Sequence, residues 1–289
     1  MSARIGYLGP RGTFSEEALL EAVRADEVDA VALETVYDVV IAARDGVVQW
    51  ALAPIENSIE GPVTVTLDTL AIEAQQVTIV GELVLTVHHY LVAKQEVALE
   101  QITTVLSHPQ AAGQCARFLR TELPGARVAA ATSTAEAVRE VSERGSVDCA
   151  AIGTRLAAKE YGCVVLRERI EDHPDNETRF VWLALAQADP AELPLRESPR
   201  ADARGKTSLV FWGPGADRAG WLVGCLDEFA SREINLTKIE SRPQRERLGH
   251  YMFFADIEGW AHEPGVRDAL AGLRGHCQQV RVLGSYPAA

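Results

Sequence analysis

The densest run of chemically capable side chains is Ala53-Pro54-Ile55-Glu56-Asn57-Ser58-Ile59-Glu60-Gly61. It sets carboxylate, amide and hydroxyl groups side by side at the end of the unbroken apolar stretch Trp50–Ile55. Such a set can orient a polar molecule and shift a proton on it. A solvated surface turn would not need that apolar lead-in. Three other places have the same character. Thr13 and Ser15 follow a Gly/Pro turn, and Thr13 stands three residues before Glu16, the spacing of a capping box; capping and ligand contact account for them equally well. Ser107-His108-Pro109-Gln110 closes another apolar run, with Gln114 on the same helix face as Gln110. Capping is a credible role for Ser107, and a lone histidine such as His108 is more often structural. In Asp172–Phe180, Thr178 and Arg179 lie where an acidic loop becomes an apolar strand. Arg179 there can fork a carboxylate or pair with neighbouring acids.

Several chemistries are excluded by spacing. Gly6, Gly9 and Gly12 read GxxGxxG rather than GxGxxG, and no GxxxxGK[ST] occurs. The seven histidines form no HExxH. His88 and His89 are adjacent on an expected strand and so point to opposite faces, which argues against a shared metal. No GxSxG elbow is present, and residues 172–180 lack the glycine and ligand spacing of a calcium loop. The five cysteines, odd in number and without CxxC, read as reduced thiols. Net charge is −13, from 28 Lys+Arg against 41 Asp+Glu, so neither nucleic acid nor an anionic membrane is an expected partner. An anionic substrate must be held by a few local Arg residues or backbone N–H groups. No uncharged apolar run reaches the roughly 18 residues of a membrane helix, and no signal pattern opens the chain. The expected location is the cytoplasm.

The elements that must position these groups alternate. Strands are expected at Arg4–Leu8, Val28–Leu33, Trp50–Ile55, Glu82–Ala93, Ile102–Ser107, Arg127–Ala131 and Cys149–Ile152. Helices are expected after Thr13 and over Val36–Asp45, His108–Thr121 and Ser133–Arg144. This alternation predicts an α/β fold with doubly wound, largely parallel sheets. Residues 187–206 hold three prolines, many charges and almost no bulky apolar residue, and read as a linker. Residues 207–289 follow the order βαββαβ, a ferredoxin-like unit. That segment carries 9 basic and 10 acidic residues, so nearly all of the excess negative charge precedes it. Composition and spacing stop at a two-lobed α/β cleft, a linker and a second domain.

Taken together, the segments resemble the prephenate dehydratase family. The resemblance rests on GYLGPRGTFSEEA (6–18), PIENSIEG (54–61), LSHPQAAGQC (106–115), STAEAV (133–138), AAIGTRLAAKEYG (150–162) and NETRF (176–180). INLTKIESRP (234–243) and YMFFADIEG (251–259) resemble that family's regulatory ACT domain. The resemblance implies a type II periplasmic-binding-protein-like catalytic domain over 1–186, with lobe 1 at about 1–76 and 164–186 and lobe 2 at about 77–163. An ACT domain over 207–289 follows. It implies the monofunctional form, no metal or cofactor, and a homodimer or homotetramer.

By residue, the resemblance assigns Thr178, Asn57 and Glu56 to catalysis and Thr13, Ser58, Ser107, Gln114 and Arg179 to substrate binding. It assigns Gly220, Trp221, Leu222, Asn235, Leu236, Glu240, Ser241, Arg242 and Pro243 to L-phenylalanine feedback. Where the family usually shows Gly-Ala-Leu, this chain has Gly220-Trp221-Leu222, so a large ring either fills part of the effector pocket or points elsewhere. The implied reaction removes CO2 and hydroxide from prephenate to give phenylpyruvate. Thr178 is the expected hydrogen-bond donor to the departing hydroxyl, with Glu56 either behind it as a proton source, if burial raises its pKa, or orienting Asn57. Two alternatives stay open: the same chemistry on arogenate, and a non-catalytic amino-acid sensor, which would not need Asn57, Ser58 and Thr178 together.

Overall fold

The computed structural model describes every residue except 1, 199, 201, 215–217 and 246. In chain order the first lobe contains β1 (Ala3–Leu8), α1 (Phe14–Ala22), β2 (Val28–Leu33), α2 (Val36–Arg44), β3 (Trp50–Asn57), the short β4 (Gly61–Pro62), α3 (Thr64–Ile72) and β5 (Val77–Thr86). The second lobe contains β6 (Tyr90–Ala93), β7 (Thr104–Ser107), α4 (Pro109–Gln114), α5 (Ala116–Glu122), β8 (Arg127–Ala130), α6 (Thr134–Arg144), β9 (Cys149–Gly153), α7 (Arg155–Glu160) and β10 (Val164–Arg167). The chain returns through β11 (Glu177–Leu185). A second domain follows: β12 (Gly205–Trp212), α8 (Trp221–Ala230), β13 (Leu236–Pro243), β14 (Tyr251–Glu258), α9 (Pro264–His276) and β15 (Gln279–Pro287).

Each lobe has its own sheet. In the second the order is β10-β6-β9-β7-β8, and in the first β5-β11-β3-β1-β2. The inner strands are parallel, as the alternation predicts, but β11 runs antiparallel to both β3 and β5, and β6 and β10 are antiparallel as well. The sheets are mixed because the chain leaves lobe 1 along β5 and comes back beside it along β11. The crossings therefore lie at 87–89 and 168–176, which moves the expected lobe bounds of about 77 and 164: β5 belongs to lobe 1 and β10 to lobe 2. The expected helix over 108–121 is two helices, broken at Cys115, whose φ of −115° and ψ of 22° leave the α region.

The stretch read as a linker is docked. Leu193 is buried beside Leu19 and Trp182, Arg24 N donates to Pro194 O, and the Arg196 side chain donates to the carbonyls of Leu20 and Val23 at the end of α1. The second domain has the antiparallel order β13-β14-β12-β15 with α8 and α9 on one face, the ferredoxin-like arrangement. Its other face packs Val210, Met252, Phe254, Leu283 and Tyr286 into the same core as α2 and α3 of lobe 1. The two sheets meet at one bridge, Gly284 against Ile79. A Cβ at residue 284 would lie 2.1 Å from the Ile79 carbonyl oxygen, so only glycine permits this approach. Among the described residues no helix is long and apolar enough to cross a membrane.

Candidate active site

The site is built on the pairing of β3 with β11. Thr178 lies opposite Asn57 and Arg179 opposite Glu56, and the register then shifts so that Phe180 faces Pro54. Ile55 is thus the extra residue of a bulge. In a regular strand residues 54 and 57 would face opposite ways; the bulge turns both toward one cavity and sends Glu56 to the other side. Pro54, Asn57, Thr178 and Phe180 all line that cavity of about 470 Å³ between the lobes.

Hydrogen bonds fix the polar part. Asn57 Nδ2 donates to Thr178 Oγ1 at 2.9 Å and to Asn176 Oδ1 at 2.9 Å, while Asn57 Oδ1 accepts from the backbone N–H groups of Ile59 and Glu60. The Thr178 oxygen already accepts from Asn57, so its own hydrogen is free to donate elsewhere. Asn176 Nδ2 donates to Gln114 Oε1, which also meets His89 Nε2 at 2.9 Å. Because that amide oxygen is an acceptor for both, Nε2 is the protonated ring nitrogen of His89. Burial pushes the His89 pKa down, against the pull of Gln114 and Glu171, and keeps the ring neutral near pH 7. This chain of amides joins Asn57 and Thr178 of lobe 1 to Gln114 of lobe 2.

A second contact closes the other side of the cleft. The turn after β1 lies on α7, where Thr154 Oγ1 donates to Gly12 O at 2.7 Å and Tyr161 Oη to Arg11 O at 3.0 Å. Gly12 has φ +84°, and a Cβ there would meet Ala157 at 2.8 Å. Glu16 holds this turn through Gly12 N and the Tyr7 hydroxyl, and does not reach back to Thr13 as a full capping box would. Thr13 accepts from Glu16 N and lines the cavity.

The expected site residues thus separate. Asn57, Thr178, Gln114 and Thr13 come together around the cavity. Ser58 braces it from outside, accepting from Glu177 N and donating to Asn176. Ser107 is fully buried, donates to the His108 carbonyl and does not reach the cavity. Arg179 and Glu56 do not line it either. Arg179 bonds Asp256 at 2.6 Å and Glu82 at 3.3 Å, and Glu56 meets Lys238 at 3.2 Å. Adjacent strand residues point to opposite faces, and these two follow Thr178 and precede Asn57. This placement turns Arg179 toward Asp256 and Glu56 toward Lys238 and away from the cavity, where the expected carboxylate contact and proton delivery would take place. No Lys or Arg lines the cavity among the described residues. Residues that open α1 (Thr13, Phe14, Ser15) and α6 (Ser133, Thr134) line it instead, and the first N–H groups of a helix can meet an anion. His89 and Asn176 were missed by sequence reasoning. The only signals were the His pair beside the lobe crossing and the Asn that opens NETRF.

In the second domain Gly220, Trp221 and Leu222 line a cavity of about 210 Å³ with Tyr251 and Phe253. The Trp221 ring is turned inward against Phe211 and Phe253, with Nε1 donating to His276 O at 2.7 Å. Leu236 packs into the domain core, and Asn235 donates to Glu258. Glu240, Ser241 and Pro243 lie on β13 and do not line this cavity; Arg242 reaches lobe 1 and pairs with Asp68.

The model of the family "Prephenate dehydratase" matches residues 5–188. The chain belongs to the prephenate dehydratase family. A prephenate dehydratase from Amycolatopsis methanolica is 41% identical over 99% of this chain and 89% of its own length. The crystal structure of a prephenate dehydratase from Arthrobacter aurescens in complex with L-Phe superposes with a TM-score of 0.85 at 38% identity, over 98% of this chain and 89% of that one. GqqA, a quorum quenching acylase of a novel type, also reaches a TM-score of 0.85, at 27% identity over 99% of this chain and 98% of its own. Lyase chemistry is thus joined to a two-lobed α/β fold.

Proposed function

We propose that the inter-lobe cavity converts prephenate to phenylpyruvate, CO2 and water. The bond from the ring to its carboxylate breaks, its electron pair completes the aromatic ring, and the opposite C–O bond breaks to release hydroxide, which takes up a proton. The ring becomes aromatic, so the barrier lies in expelling a poor leaving group. The observation that carries the reading is the Asn57–Thr178 contact of 2.9 Å inside the cavity. It leaves the Thr178 hydrogen free to stabilise charge growing on the departing hydroxyl. The amide chain to Gln114 and the Gly12 contact with α7 hold the lobes together and keep water away from that charge. The two carboxylates of prephenate are received by the helix N-termini at Thr13 and Ser133, where N–H groups serve in place of lysine or arginine.

L-Phenylalanine is the proposed effector, bound to the ferredoxin-like domain acting as an ACT unit. The support is the relative crystallised with L-Phe and the small cavity at Gly220–Leu222. The inward turn of Trp221 leaves that cavity open beside the ring. Incubating the pure protein with prephenate and with arogenate, and identifying the products by absorbance and mass, tests the reading. Phenylpyruvate from prephenate is the expected result. Phenylalanine from arogenate alone would reassign the substrate, and no product from either would overturn the catalytic reading.

A further inference from the structure

The face of β3 and β11 turned away from the cavity carries a charge cluster, buried except at Glu56 and Lys206, that the dehydration does not use. Glu56, Glu82 and Arg179 come from lobe 1, and Lys206, Lys238 and Asp256 from the second domain. Arg179 lies between Asp256 and Glu82, at 2.6 Å and 3.3 Å. Glu82 also takes Lys206 Nζ at 2.5 Å, and Glu56 takes Lys238 Nζ at 3.2 Å. Three cations balance three anions. The side chains of Glu82, Asp256, Lys238 and Arg179 are 1%, 6%, 9% and 11% exposed, so their charges are screened by partners more than by water, whereas the Glu56 side chain is 36% exposed.

Two details give the cluster a direction. First, Thr237 is the extra residue of a bulge between β13 and β14, since Leu236 pairs with Ile257 and Lys238 with Asp256. Leu236 therefore packs toward the helices while Lys238 turns to the lobe 1 side. Second, Lys238 Nζ and Arg179 Nε, which flank the Glu56 carboxylate, are buried and make no hydrogen bond among the described residues. Glu56 is thus held by charge from two sides, and loss of one cation shifts it toward the other. Glu56 is bonded in sequence to Asn57, and Arg179 to Thr178.

Resting on the assignment of Asn57 and Thr178 to the dehydration, we propose that Lys238 is a positioning residue for that reaction. From the second domain it holds Glu56, and through Glu56 the strand pair that aligns the Asn57 amide on the Thr178 hydroxyl. Displacement of a reacting group by about 1 Å can cost on the order of 10²-fold in rate, so a smaller tilt of this pair has a measurable effect.

The test uses the full chain with prephenate as substrate. Lys238→Met is expected to lower kcat about tenfold with KM changed less than threefold, a range consistent with coupling through a packed network. Lys238→Arg restores most of the rate. Adding Glu56→Gln to Lys238→Met restores charge balance and gives a faster enzyme than Lys238→Met alone. Arg281→Ala is the structural control. It removes hydrogen bonds to Leu70 O and Val77 O at the same domain seam, away from the strand pair, and lowers melting temperature without lowering kcat. Should the Met variant not fold, Lys238→Gln carries the same comparison. Normal kcat in folded Lys238 variants, while Thr178→Ala is inactive, overturns the positioning role and leaves the dehydration intact. Parallel losses in Lys238→Met and Arg281→Ala reduce the cluster to simple adhesion and also overturn it. A wild-type chain inert toward prephenate overturns both readings.

Discussion

The two faces of the β3–β11 pair solve different problems with different chemistry. Toward the cleft, Asn57, Thr178, Asn176 and Gln114 are neutral and held by directed hydrogen bonds of 2.9–3.2 Å. Toward the second domain, one residue along each strand, Glu56 and Arg179 belong to a six-charge cluster. A site that must let hydroxide depart benefits from neutral donors whose hydrogens are already aimed, because fixed dipoles need no rearrangement as charge develops. A domain seam has another requirement. Buried ion pairs contribute little net stability against apolar packing, yet they punish any misdocking that leaves one charge alone. On the proposed function the front face serves rate and the back face registration.

This contrast can be broken most sharply from the back. Arg179→Met leaves Asp256 and Glu82 buried without their shared cation, and the expected loss is roughly 3–5 kcal/mol of unfolding free energy. Chemical denaturation of the full chain measures it, and a loss under about 1 kcal/mol would show that the cluster is dispensable.

A smaller effect sharpens the same contrast with pH. Burial pushes the Asp68 pKa up, but hydrogen bonds from Arg242 and Arg245 outweigh it and hold the carboxyl below its ordinary value. A carboxylate with a lowered folded pKa contributes stability that is complete above its unfolded value of about 3.9 and is lost as pH falls through the folded one. Asp68→Asn should thus cost about 1.5–3 kcal/mol at pH 7, and progressively less below about pH 4. An equal cost at pH 7 and pH 3 would contradict the pairing.

How much of this was legible in the sequence follows from the same geometry. The α/β alternation, the βαββαβ order and the run 53–61 could be read because each is local. Contact between residues 57 and 178 depends on strand register across a bulge, which no local pattern reveals. Arg179 was expected to grip a carboxylate because it adjoins Thr178, but adjacency on a strand places a side chain on the opposite face. The lobe boundary was misplaced for a related reason. Strand β5 reads like any apolar run, and only its pairing with β11 assigns it to lobe 1. The linker looked free because it is rich in proline and charge, yet Leu193 and the Arg196 fork dock it onto α1.

On the proposed function, one hydroxyl, aimed by one amide, lowers the barrier to aromatisation. Thr178→Val keeps the shape and removes the hydroxyl, and Thr178→Ser keeps the hydroxyl and removes a methyl. Steady-state turnover of prephenate by the two folded variants separates the hydroxyl from the shape of the side chain. Val is expected to lower kcat by at least about 10²-fold, the scale of one lost transition-state hydrogen bond, while Ser stays within about tenfold of the native enzyme. Near-native turnover by the Val variant would contradict the role of the hydroxyl.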